Sequence, residues 1–202
     1  MAPPASSFSS ESAAALAART IALQMLEERG RGAVLVGVAR VDAALEHLLQ
    51  ALMAPATEIR DGLFLPDRPL GSLGAKVTLA SRLGLIDPGV ERALHALRKL
   101  RNAFAHSAES ASLADPAYSS RLAAVYTEAR ANPLWAPLES VLAAQPASAQ
   151  GPLDPALRDY ILLITILVAF LEAAAQQLTP IHPPVVMGLA GISRVNGSTP
   201  AS

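Results

Sequence analysis

Apolar residues return along this chain at spacings of three and four, and that rhythm lays out most of its elements. Val34, Val38, Val41, Leu45, Leu48 and Leu52 follow one another at alternating spacings of four and three, forming one seam along a helix of about five turns. The β-branched run "AVLVGV" at 33–38 favours a strand locally, but the seam continues unbroken through Met53, so the pattern predicts a helix. Ala93, Leu97, Leu100 and Phe104 repeat the same rhythm further on. An earlier helix is expected over Ser12 to Glu28, ending at Gly30, and another over Ser72 to Leu83, with Gly84 as a left-handed cap. "YILLITILVAFL", Tyr160 to Leu171, stays apolar for 12 residues between Asp159 and Glu172. A membrane span needs about 20 such residues, so this run reads as a buried central helix and no membrane partner is expected.

Proline sharpens the boundaries. Asp87-Pro88, Asp115-Pro116, Asn132-Pro133 and Asp154-Pro155 each place a capping side chain directly before proline. The cap accepts an orphan backbone N–H, and proline at the first helical position lacks only a donor that would have had no partner there. Four helix starts follow. The segment from Ala54 to Gly71, with Pro55, Pro66 and Pro69, is long for a helix connection and reads either as a binding loop or as a packed surface excursion. "AAQPASAQG", Ala143 to Gly151, reads as a flexible linker. "MAPPASSFSS" has no basic residue ahead of an apolar core and reads as a tail rather than a secretory signal. The expected organisation is a disordered tail over 1–10, a single helical domain over 11–179, and a Pro/Gly/Ser-rich disordered tail over 180–202. No internal repeat and no helix-turn-helix signature is present.

Composition narrows the class. Alanine and leucine dominate, aromatics make up 4% and charged residues 16%, which favours close helix packing over a sheet-rich fold; the expected class is all-α. The chain has no cysteine, which removes disulfides and thiol chemistry and is compatible with the cytoplasm, the expected location. A net charge of -1 gives no overall footprint for duplex DNA, so any nucleic-acid contact must be local. No histidine and acid spacing suggests a metal site, and no cofactor is expected. His47 reads as a surface residue of its helix, and His182 falls in the expected tail. Tyr118, Tyr126 and Trp135 read as core at helical spacing, leaving no aromatic platform for unstacked bases.

The stretch that can carry chemistry is "HALRKLRNAFAHS", His95 to Ser107. Away from the apolar stripe lie His95, Lys99, Asn102 and His106, with Arg98 close by and Arg101 at the boundary of the two faces. From Arg92 to Arg101 there are four cations and no acid, a distribution suited to phosphate or to a partner's carboxylates. His95, Arg98 and Lys99 are therefore candidate binding residues. Arg101, Asn102 and His106 are the candidates for catalysis.

The order arginine, polar residue, short gap, histidine in "RNAFAH" resembles the motif of the HEPN superfamily of helical domains. Four separated blocks, "RGRGAVLVGVARVDAALEHLL", "PLGSLGAKVTLASRLGLI", "LRKLRNAFAHS" and "RDYILLITILVAFLEA", resemble one branch of it, the mannitol operon repressor (MltR-like) family, in the family's order. The proline-rich connections are longer than that family's compact pattern. The resemblance implies an antiparallel helical bundle with a HEPN-like core, commonly a homodimer whose motif helices line a shared cleft. It also implies, for RNA-cutting members, metal-independent attack of a 2′-OH on the adjacent phosphate. His106 would then exchange a proton, Arg101 would hold the phosphate, and Asn102, one turn before His106, would orient the imidazole.

Two features complicate that reading. Residues five apart are rotated by about 140° on an ideal helix, so Arg101 and His106 point apart unless the helix loosens or a dimer completes the site. A structural role is the alternative: Arg101 pairs with Asp42 or Glu46, which lie one turn apart on one helix face, while His106 caps its own helix. Two functions follow. One is a co-regulator of transcription that acts through protein partners and does not itself read specific DNA. The other is a toxin-like endoribonuclease acting on RNA.

Overall fold

The computed structural model describes residues 5–28, 30–56, 62–106, 111–145 and 153–194, with side chains from residue 15 onward. These residues form helices α1 (Ala5–Met25), α2 (Gly30–Leu52), α3 (Leu73–Arg82), α4 (Pro88–His106), α5 (Pro116–Arg130), α6 (Trp135–Ala143) and α7 (Pro155–Ala175). A two-stranded antiparallel hairpin, β1 (Val185–Gly188) and β2 (Gly191–Arg194), follows. The helices pack as a bundle.

The apolar run from Tyr160 becomes the middle of α7, which is buried on every side from Asp159 to Ala169. Helix α2 packs against it most extensively, and α1, α5 and α6 also touch it. The α2 seam is real: Val34, Val41 and Leu45 are fully buried and Leu48 nearly so. At the α2–α7 crossing, a Cβ at Gly37 would lie 2.6 Å from the Tyr160 hydroxyl, so only glycine lets the ring approach. The Tyr160 O–H then donates to the Val34 carbonyl at 3.0 Å. Burial pushes this phenol above its ordinary range, with Tyr126 adding to the effect.

The cap-plus-proline pairs act as expected in three places. Asp87 Oδ1 accepts from the Val90 N–H at 2.7 Å, Asp115 Oδ1 from Ala117, and Asp154 Oδ1 from Ala156 and Leu157. Asn132 differs. Its side chain accepts from the Leu134 N–H in a turn, and α6 starts only at Trp135. Helix α3 is capped by Ser72 and closes with Leu85 N–H on Ala80 O and Gly84 N–H on Ser81 O, the left-handed ending expected at Gly84, whose φ is +71°.

Other expectations need correction or lie outside the described residues. Helix α1 begins at Ala5, inside the stretch read as tail, and ends at Met25, before Glu28. Residues 185–194, also read as tail, form the hairpin. Residues 1–4, 195–202 and the linker over 146–151 lie outside the described residues, as do 57–61 of the long loop. What is described of that loop is a packed excursion: Leu70 N–H donates to Leu63 O, and Phe64 is buried. Behind the bundle, Asp159 holds Arg130 at 2.6 Å and Arg158 at 2.8 Å, while Arg130 lies over the rings of Tyr126 and Trp135. Burial, with the Asp159 carboxylate, pushes the Tyr126 phenol up, and nearby Arg130 offsets part of the rise. The hydrogen bond to Asp159 also raises the Arg158 guanidinium above its ordinary value.

Candidate functional site

Helix α4 carries the candidate residues because its two faces differ chemically. Ala93, Leu94, Leu97, Leu100 and Phe104 are buried against α2, α3 and α5, and Phe104 meets the Tyr118 ring at 5.0 Å between centroids. Lys99, Arg101, Asn102 and His106 are exposed, and His95 and Arg98 are partly exposed. The apolar stripe fixes the rotation of the helix, and the polar stripe faces outward as a result.

The candidates differ in how far the fold already uses them. His95 Nε2 lies 3.7 Å from Glu91 Oε1, one turn earlier, and Glu91 Oε2 accepts a hydrogen bond from Ser81. Arg92, the first of the four cations, is paired with Glu128 of α5 at 2.7 Å. The Arg98 guanidinium lies against Gly74 in the first turn of α3, where a Cβ would come within 3.5 Å of Nη1, and its Nε is buried with no hydrogen-bond partner among the described residues. Arg101 donates from Nη1 to the adjacent Asn102 Oδ1 at 3.3 Å. Among the described residues, neither Lys99 nor Arg101 forms an ion pair.

The pairing of Arg101 with Asp42 or Glu46 is corrected. Those carboxylates share one face of α2 as their spacing implies, but the cation between them is Lys76 of α3, at 3.0 Å from Asp42 Oδ1 and 2.8 Å from Glu46 Oε2. Lys76 is 2% exposed and sits 6.0 Å from the centroid of the Phe64 ring. Helix α3 lies against both α2 and α4, so its lysine reaches the pair before a residue from the solvent face of α4 can. The carbonyl end of α4, where His106 is expected to cap, also receives a cation from another helix. Arg31, at the start of α2, donates to the Ala105 carbonyl at 2.8 Å.

Helix α4 stays regular through His106, so no loosening turns that side chain toward Arg101. The two remain about 140° apart around the axis, whereas Asn102 and His106, one turn apart, share a face. Within one chain the motif is an exposed polar stripe and not a convergent pocket.

A well-defined cavity among the described residues lies elsewhere. An open, largely apolar groove of about 590 Å³ runs between the first turns of α4, the outer side of α5 and the end of α7. Val90, Val125, Ala129, Ile166 and Phe170 are among its walls, and Phe170 is 45% exposed. At its rim a Cβ at Gly89 would lie 2.8 Å from Glu128 Oε2 and 3.1 Å from Asp87 Oδ1, so both carboxylates converge on that glycine. Sequence reasoning missed this groove. Its one visible signal was that the α7 run is apolar around its whole circumference, more than a single packed face requires.

Among the described residues no group of three or more His, Asp or Glu side chains is placed to hold a metal ion, and no helix is long and apolar enough to cross a membrane. No protein-family model, curated protein or solved structure matches the chain.

Proposed function

We propose that this chain is an MltR-like helical regulatory protein, a co-regulator of transcription that docks protein partners through the polar stripe of α4. The observation that carries the reading is the contrast in charge use along that stripe. Lys99 and Arg101 stand exposed with no carboxylate partner among the described residues, next to the partly buried Arg98. A row of cations that the fold leaves unpaired suits an acidic surface on another protein. The overall charge of -1 and the absence of a helix-turn-helix signature in the sequence speak against direct reading of specific DNA. In this reading the helices form an antiparallel, HEPN-like bundle, dimeric and cytoplasmic.

A second reading is favoured by one observation, the shared exposed face of Asn102 and His106 with Arg101 beside it. As a metal-independent endoribonuclease, the chain would use His106 for proton exchange and Arg101 for the phosphate. That chemistry needs the two side chains brought together by a second protomer.

One comparison separates the readings. Cells lacking the protein are complemented with the native chain or with a Lys99→Glu/Arg101→Glu variant, and both transcript synthesis rates and transcript half-lives are measured. The co-regulator reading expects changes in synthesis that the variant fails to restore. Unchanged synthesis rates, with half-lives shortened by the native chain and cyclic phosphate ends on the fragments, would instead establish the nuclease.

A further inference from the structure

Among the described residues the hairpin and the groove are both uncovered, and their chemistries match. All eight strand residues of β1 and β2 are exposed. In this register Val185 faces Arg194 and Met187 faces Ile192, so these four side chains share one face. The opposite face carries Val186, Ser193, Gly188 and Gly191. One face thus carries two large apolar side chains, Met187 and Ile192, with Val185 and a single cation at its end; the other is smaller, with Val186 and Ser193 as its only side chains beyond glycine. Met187 is 83% exposed, Ile192 74%, and Leu189 at the tip is fully exposed. An isolated two-stranded hairpin in water is marginal at best, and this one lays its apolar face on nothing among the described residues.

The groove offers the complement. Its walls are apolar, and its rim carries two carboxylates, Asp87 and Glu128, against one guanidinium, Arg92. It is short of one positive charge, which Arg194 carries. No residue of the hairpin lines the groove in the same chain. The strap between α7 and β1 explains why. The Ile181 N–H donates to the Leu52 carbonyl at 2.7 Å, pinning the strap to the end of α2, and Pro180, Pro183 and Pro184 stiffen it around that point. The arm therefore projects from the bundle. It starts just past Phe170 and Ala174, which themselves line the groove, so each arm leaves the bundle beside its own groove.

We infer that two copies of this chain exchange arms, each hairpin laying Met187, Ile192 and Leu189 into the groove of the other copy with Arg194 against the partner's Glu128 and Asp87. The exchange is reciprocal and closes on itself, so it yields a dimer and no longer chain of copies. It covers the first turns of α4 as far as Ala93 and leaves Lys99, Arg101 and His106 uncovered, about 9 to 20 Å further along the helix.

The lack of native cysteine makes the test direct. The Ala129→Cys and Ile192→Cys variants are purified separately, mixed, oxidised gently and analysed for cross-linked peptides. The expected product is a disulfide joining residue 129 of one variant to residue 192 of the other. Links only between two copies of the Ile192→Cys variant would mean that hairpins pair with each other, and would overturn the groove as the receptor. A double variant that closes within one chain at high dilution would overturn the exchange in favour of the arm's own groove. Sedimentation of the native chain supplies the second measurement. Dimers are expected, with the dissociation constant raised about 100-fold or more by Ile192→Asp or Phe170→Asp and unaffected by Lys99→Glu, the folding of each being verified by circular dichroism. A chain that remains monomeric at every concentration, including one that floats with lipid vesicles, overturns the proposal.

Discussion

Lys76 and Arg101 carry the same charge on neighbouring helices and are treated in opposite ways. Lys76 is taken out of water and held between Asp42 and Glu46, with the Phe64 ring beside it. Arg101 stays in solvent, and among the described residues it has only the amide oxygen of Asn102 for company. The first cation ties α3 to α2. The second ties no other element among the described residues. The difference separates charges that hold the bundle together from charges left over for something outside it.

The comparison breaks most clearly at its buried end. Lys76→Ala leaves two carboxylates facing each other without a cation, and is expected to cost about 3 kcal/mol, the low end for a broken buried pair because the carboxylates keep about a third of their surface in water. Urea unfolding measures it, and an unchanged midpoint would remove Lys76 from the structural class. Asp159→Asn comes next, since Asp159 anchors both Arg130 and Arg158; a loss of about 2 kcal/mol is expected because those guanidinium groups stay partly in water.

Much of this contrast was legible in the sequence, and the illegible part has a physical cause. The rhythm of Val34 to Leu52 outweighed the β-branched character of its first residues, and α2 is a helix because its seam finds α7. Three cap-plus-proline pairs gave their helix starts because that signal is local. The pairing of Asp42 and Glu46 was half legible. Their common face follows from helical spacing, but the choice of Lys76 over Arg101 depends on how three helices pack, which no local pattern encodes. The hairpin was hidden for another reason. Four-residue strands are too short for alternation to stand out, and the prolines before them read as a tail.

Alkaline pH sharpens the distinction between interior and surface. Tyr126 and Tyr160 have phenols raised above their ordinary value by burial, while an unfolded phenol ionises at about pH 10. Their contribution to stability is full below that pH and is lost as pH climbs toward the raised folded values, on the order of 1 kcal/mol per phenol for each further pH unit. Chemical unfolding repeated at rising alkaline pH, with Tyr160→Phe as the comparison, checks the slope. A native chain as stable at pH 11 as at pH 9 would sink this account.

The smallest expected effect lies at the exposed end. Arg101→Ala and His106→Ala should each change unfolding stability by no more than about 0.5 kcal/mol. A larger loss would show that the stripe holds the bundle after all, and would return Arg101 to the same class as Lys76.

Gly37 and Tyr160 carry a consequence for descent as well as for packing. The ring at 160 fits only because position 37 has no side chain, and the hydroxyl reaches the Val34 carbonyl only because the ring fits. Neither residue can drift alone. Among proteins that share this bundle, alanine or serine at the position of Gly37 should appear together with a shorter residue at the position of Tyr160. Such a coupled exchange would be a mark of kinship that survives after the surface charges have been rewritten.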